Sequence, residues 1–164
     1  MASSSLLCVG LDPHASQLSE VSAAGALAFC LEVVRATHSF AAAFKPNAAF
    51  FEALGPEGMV ALRKVIAAVP DGIPVILDVK RGDISSTAEA YATAAYDVYG
   101  AHSVTLAPYM GWDSIQPFVG DKHPTKVRHI NPRYKLPPTL LPLPYMRGGK
   151  TRIGWCWCWC LFAV

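Results

Sequence analysis

The sequence predicts an α/β protein of about four parallel βα units, followed by an irregular tail of different character. Three observations carry this reading. Short β-branched, apolar runs alternate with Ala-, Leu- and Glu-rich stretches of helical period over the first 120 residues. Charged residues stand at the C-terminal ends of the first three runs, where parallel α/β proteins place their chemistry. Charge and composition then change abruptly.

The first run, LLCVGLD (6–12), reads as a strand ended by the Asp12-Pro13 turn. Residues 19–36 read as a helix, and FAAAFKP (40–46) as the second strand. A second helix is expected from Pro56 to Val69, with Pro56 near its first position and Leu62, Val65 and Ile66 at helical spacing. PVILDVK (74–80) is the clearest strand, nearly continuously apolar and β-branched. Ser86 and Glu89 have the spacing of a capping box and open a helix that stops at Gly100. HSVTLAP (102–108) is the fourth strand, followed by a loop and a short helix around Asp113–Phe118. No GxGxxG or GxxxxGK[ST] fingerprint follows any strand, which favours barrel-type units over a dinucleotide fold or a P-loop.

The chain has 164 residues, 52% of them hydrophobic and 16% charged, too apolar and too lightly charged for a disordered protein. It holds no uncharged apolar run long enough to span a membrane, and MASSSLLCVG lacks the basic flank and apolar core of a secretory signal. A soluble, cytoplasmic protein is expected. The net charge of +2 hides a division: residues 1–120 carry 6 Lys and Arg against 11 Asp and Glu, a net of −5, whereas residues 121–164 carry 8 against the single Asp121, a net of +7. Two units follow, a body over 1–120 and a basic tail rich in Pro, Trp and Cys over 121–164.

Asp12 ends the first strand, Lys45 the second, and Asp78 and Lys80 the third, with Arg81, Gly82 and Asp83 in the loop beyond. Asp78 and Lys80 are two apart in a strand and share a face. An unpaired charge in so apolar a run is costly, and an opposite charge beside it makes the burial tolerable. Lys45 and Asp83 are expected to extend the pair to two cations and two anions, a set able to hold a charged lysine against a substrate and deliver its proton to a developing carbanion. The plainer alternative is a salt-bridge network that only fixes strand register; four charges gathered at consecutive strand ends favour a site. His14, His38 and His102 share no metal-ligand spacing and read as structural or surface residues, and Cys8 and Cys30 read as reduced core thiols. No metal ligands are expected in the body.

VGLDP (9–13), FKPNAAFFEALGPEG (44–58), ILDVKRGDISSTAEAYA (76–92) and TLAPYMGWDSIQPF (105–118) together resemble the orotidine 5′-phosphate decarboxylase family, in its bacterial-type branch. The Asp-x-Lys-x-x-Asp core of Asp78, Lys80 and Asp83 is shared by a wider suprafamily; the extended segment with PYMGWDS downstream is far more specific. The resemblance implies a partial (β/α)8 TIM barrel and a carboxy-lyase that converts orotidine 5′-phosphate to UMP and CO2 in pyrimidine biosynthesis, with no cofactor. It implies Lys80 as the general acid that protonates C6, Asp78 beside the substrate carboxylate, and Lys45 completing the network and touching the ribose. It further implies Asp12 as a ribose-binding residue, Asp83 and Thr87 reaching the neighbouring subunit's site, and a homodimer with shared sites.

The family's barrel has eight units, and this chain supplies about four before its character changes. From about Gly120 there is no sustained helical or strand period, and Pro137, Pro138, Pro142 and Pro144 block regular structure. The tail reads as disordered, or as translated intron or frame-shifted sequence. The family's phosphate grip and pyrimidine flap belong to the second half, so the chain is expected to be a truncated decarboxylase, inactive alone. Cys156, Cys158 and Cys160 would share a strand face but lack a fourth ligand. The basic stretch 122–152 matches no nucleic-acid-binding fold, so neither nucleic acid nor membrane is an expected partner. The alternatives are a Mg²⁺-dependent sugar-phosphate enzyme of the same suprafamily, resembling hexulose-phosphate synthase, or a non-catalytic fragment that pairs with a full-length subunit.

Overall fold

In the computed structural model the described residues are 5–119, together with the backbone of two short strands at 127–130 and 160–161. The first strand, β1 (Leu7–Leu11), leads into helix α1 (Ala23–Thr37). Ser22 caps α1 by accepting the Gly25 N–H at 3.1 Å, and Ala26, Cys30 and Val34, four apart, turn its buried stripe to the sheet. Strand β2 (Ala41–Pro46) follows, then a short helix α2 (Ala48–Glu52) that the sequence reading did not contain. Five residues are too few to show a helical period; what starts α2 is the Asn47 side chain, which accepts the Ala49 N–H at 3.2 Å. Helix α3 (Gly55–Ala67) has Pro56 in its first turn and buries Ala61, Leu62, Val65 and Ile66, as the spacing predicts.

Strand β3 (Ile76–Arg81) is followed by α4 (Ser85–Thr93), whose start corrects the capping-box expectation. The N-cap is Ile84, with no side-chain cap, and Ser86 lies inside the first turn. Just before α4, Asp83 Oδ1 accepts the Ile84 N–H at 2.8 Å, a local bond outside the helix. The helix widens into a π turn at Ala94–Val98 and stops at Gly100, whose φ of 72° a glycine supplies without strain. Strand β4 (Ser103–Leu106) is buried along its length and leads through two 3₁₀ turns to α5 (Gln116–Val119).

Among the described residues all pairings are parallel. β1 pairs with β2 and β3 with β4, and the isolated bridges Phe44↔Val75 and Asn47↔Asp78 join β2 to β3. The first four strands therefore lie side by side in chain order, the arrangement of successive right-handed βα units. Leu11, Phe44, Leu77, Val104 and Leu106 pack from the strands against Cys30, Leu62, Val65, Ala88, Ala92 and Phe118. Cys8 and Cys30 are buried free thiols, as expected, and burial pushes the Cys30 thiol up to about 12.

Beyond residue 119, β5 (Val127–Ile130) runs parallel to β4, and β6 (Cys160–Leu161) parallel to β1. The sequence reading placed no strand here. VRHI is too short to show a strand period, and the open edge of β4 supplies the hydrogen-bonding partners that periodicity could not reveal. The Pro-rich run 137–144, the side chains of the Trp-Cys repeat and the rest of the basic stretch lie outside the described residues.

Candidate active site

The parallel register brings the strand ends together. Lys45 on β2 lies opposite Gly10 of β1, two residues before Asp12, and Asn47 bridges to Asp78 of β3. Lys45, Asp78 and Lys80 thereby meet at one end of the sheet. Lys80 Nζ donates to Asp78 Oδ1 at 2.6 Å, and Lys45 Nζ to Asp78 Oδ2 at 3.3 Å. One carboxylate thus stands between two ammonium groups. Asp78 and Lys45 are nearly enclosed, whereas the Lys80 side chain is 53% exposed and faces open space.

Burial pushes the Asp78 carboxyl upward, but hydrogen bonds from Lys80 and Thr105 and the charges of Lys45 and Lys80 outweigh it and hold the carboxyl below its ordinary range. Asp12 goes the other way. Burial raises it, and Lys45 offsets only part of the rise. Its Oδ1 is buried and meets no hydrogen-bond donor among the described residues. A buried carboxylate oxygen held beside cations with an open valence suits a ligand hydroxyl.

The expected set of two cations and two anions is assembled differently. Among the described residues Asp83 joins no ion pair; its carboxylate accepts the adjacent Ile84 N–H instead. Asp12 supplies the second anion, within electrostatic range of both lysines. β3 ends at Arg81, so Asp83 lies beyond the strand, in the three-residue link to α4. Thr87 sits exposed in the first turns of α4. His102 is structural, its Nδ1 accepting the Val75 N–H at 3.2 Å, and His14 packs edge-on against Phe50.

The sequence reading missed Thr105. Its Oγ1 donates to Asp78 Oδ1 at 2.7 Å and accepts the Val79 and Lys80 N–H groups at 3.1 and 3.0 Å. The signal available was a hydroxyl residue two positions on from Ser103 in the short run of β4. Arg81, also unassigned, pairs with Glu52 at 2.5 Å and lies 4.9 Å over the Tyr91 ring, tying the end of β3 to α2 and α4. No group of three or more His, Cys, Asp or Glu side chains comes together among the described residues in a way that could hold a metal ion.

The model of the orotidine 5′-phosphate decarboxylase / HUMPS family matches residues 5–136. The chain belongs to this family. It is 52% identical over 118 residues to orotidine 5′-phosphate decarboxylase of Herpetosiphon aurantiacus, covering 70% of this chain and 44% of the relative. It is 51% identical over 121 residues to the Cupriavidus taiwanensis protein of the same name, again covering 70% and 44%. The solved structure of Leishmania donovani OMP decarboxylase superposes with a TM-score of 0.70 and 55% identity, over 77% of this chain and 48% of that one. The chain spans less than half the length of these decarboxylase relatives. Among the described residues no helix is long and apolar enough to cross a membrane.

Proposed function

We propose that this chain carries the proton-delivering part of an orotidine 5′-phosphate decarboxylase. The single observation behind the proposal is the Lys45–Asp78–Lys80 set at the strand ends. A carbanion formed by loss of CO2 needs a fixed cation beside it, and a lysine anchored by a buried carboxylate is one. In this reading the bond between C6 and the carboxylate carbon breaks, CO2 departs, and its electron pair stays at C6. Lys80 Nζ then gives its proton to C6 and regains one from water. Asp78, kept ionised, repels the substrate carboxylate and favours its loss. Lys45 and the open oxygen of Asp12 take ribose hydroxyls.

Thr87 is exposed on α4, and Asp83, half-buried just before that helix, pairs with neither lysine of its own chain's set among the described residues. That placement is compatible with service in a neighbouring subunit's site, and a homodimer is part of the proposal. The product is UMP, and no metal takes part. Both oxygens of Asp78 already face ammonium groups or a hydroxyl, which leaves little room for the Mg²⁺ that a sugar-phosphate enzyme of the family would need. Phosphate-gripping residues are not assigned to this chain, and we expect the chain alone to turn over no substrate.

The test compares CO2 release from orotidine 5′-phosphate by the chain alone and by a chimera joining its residues 1–119 to the remaining length of the Herpetosiphon relative. Release by the chimera and none by the chain supports the reading. A folded, nucleotide-binding chimera that releases no CO2 overturns it.

A further inference from the structure

We infer that Thr105 is a positioning residue, whose hydroxyl fixes both the Asp78 carboxylate and the backbone of Lys80. The inference rests on the reading of Lys80 as proton donor and extends it to a residue that touches no substrate.

A threonine hydroxyl has one proton to give and two lone pairs to accept with. All three are used here. Oγ1 gives its proton to Asp78 Oδ1 and accepts the N–H groups of two consecutive residues, Val79 and Lys80. Those two amides lie where the β3–β4 register shifts, between Leu77 and Arg81, and so fall within the irregular part of the ladder. Lys80 itself has φ 48°, in the left-handed region that a residue with a long side chain seldom adopts. Strain of this kind persists only where surrounding groups fix it, and the Thr105 bond to the Lys80 amide is such a group. Thr105 is itself buried, so water does not replace its hydroxyl. The same oxygen thus sets the acceptor toward which the Lys80 ammonium turns and the backbone from which its side chain springs.

The experiment uses the full 164-residue chain with labelled aspartate, and compares wild type, Thr105→Val and Thr105→Ser by NMR. Two quantities are read: the pH midpoint of the Asp78 carboxyl and the exchange rates of the Val79 and Lys80 amides. Thr105→Val is expected to move the Asp78 midpoint upward, because the carboxylate loses a donor, and to speed exchange of both amides about tenfold. Thr105→Ser is expected to restore both. A folded Thr105→Val chain with an unchanged Asp78 midpoint overturns the inference, as does a failure of serine to restore it. Should the valine variant not fold, wild type and Thr105→Ser decide: protected amides and a depressed Asp78 midpoint in both support the inference, and amides exchanging at the rate of open chain in wild type overturn it. None of these readings uses turnover, so failure of the decarboxylase reading would leave the result for Thr105 standing.

Discussion

Lys80 reaches Asp78 across only two residues of β3, with 2.6 Å between Nζ and Oδ1, although its own backbone has left the extended conformation at φ 48°. In a regular strand the two side chains would project in parallel from one face. The irregularity at the end of β3 tips the lysine back over the carboxylate, while more than half of its side chain stays open to solvent. The pair is therefore anchored at the aspartate and accessible at the lysine, the polarity that a proton donor requires.

Asp78 carries the stability of this end of the sheet as well as its charge. Its folded carboxyl sits below the unfolded value, so its contribution is present above the ordinary carboxylate range and is lost as pH falls through the lowered folded value. Asp78→Asn is expected to cost about 2–3 kcal/mol at pH 7, less than a fully enclosed pair because the Lys80 side chain is 53% exposed. Urea unfolding at pH 7 and across the acid range checks this: the variant should show a lower midpoint and a shallower acid dependence.

Asp12 has the opposite sign. Its folded carboxyl is raised, so ionised Asp12 opposes folding at neutral pH, an opposition that vanishes once both states are protonated. Asp12→Asn is expected to raise the melting temperature at pH 7 and to lose that gain near pH 3. In the chimera the same change should weaken nucleotide binding, a cost in function set against a gain in stability.

Gly82 follows the charged set where the backbone passes β4 closely. A Cβ there would stand 2.2 Å from the Ala107 carbonyl oxygen, and the Ala107 N–H is bound to the Arg81 carbonyl at 2.8 Å. Gly82→Ala is expected to destabilise the chain by about 1–3 kcal/mol by forcing the β3 and β4 ends apart, measured as a shift in urea midpoint.

Cys8 and Cys30 report on the body's folding. Both are buried, and the Cys30 thiol is pushed up to about 12 by burial with a further contribution from Asp12. Mass mapping after iodoacetamide at pH 8 should find both unmodified in the native chain and both modified in urea.

The strands and the longer helices were legible because their signals are local. PVILDVK could hardly be anything but a buried strand, and Leu62, Val65 and Ile66 mark one face of α3. Asp12, Lys45, Asp78 and Lys80 were legible for the same reason, each a charge at the end of an apolar run. The bonding of Asp83 was not, because no local pattern tells whether a loop carboxylate joins an ion pair or accepts the N–H of the next residue, as it does from Ile84. Thr105 was not legible either: its three bonds depend on a register shift between two strands far apart in sequence. Strand β5 escaped because the edge of β4, not its own four residues, supplies the reason for it.

The most direct test of the central claim is CO2 release by the chimera and by its Lys80→Ala variant, in EDTA, with nucleotide binding measured alongside. The account predicts release without Mg²⁺ from the parent, a loss of at least about 10³-fold in the variant, and UMP binding retained in both. Near-normal release from Lys80→Ala, or a parent that needs Mg²⁺, would contradict it.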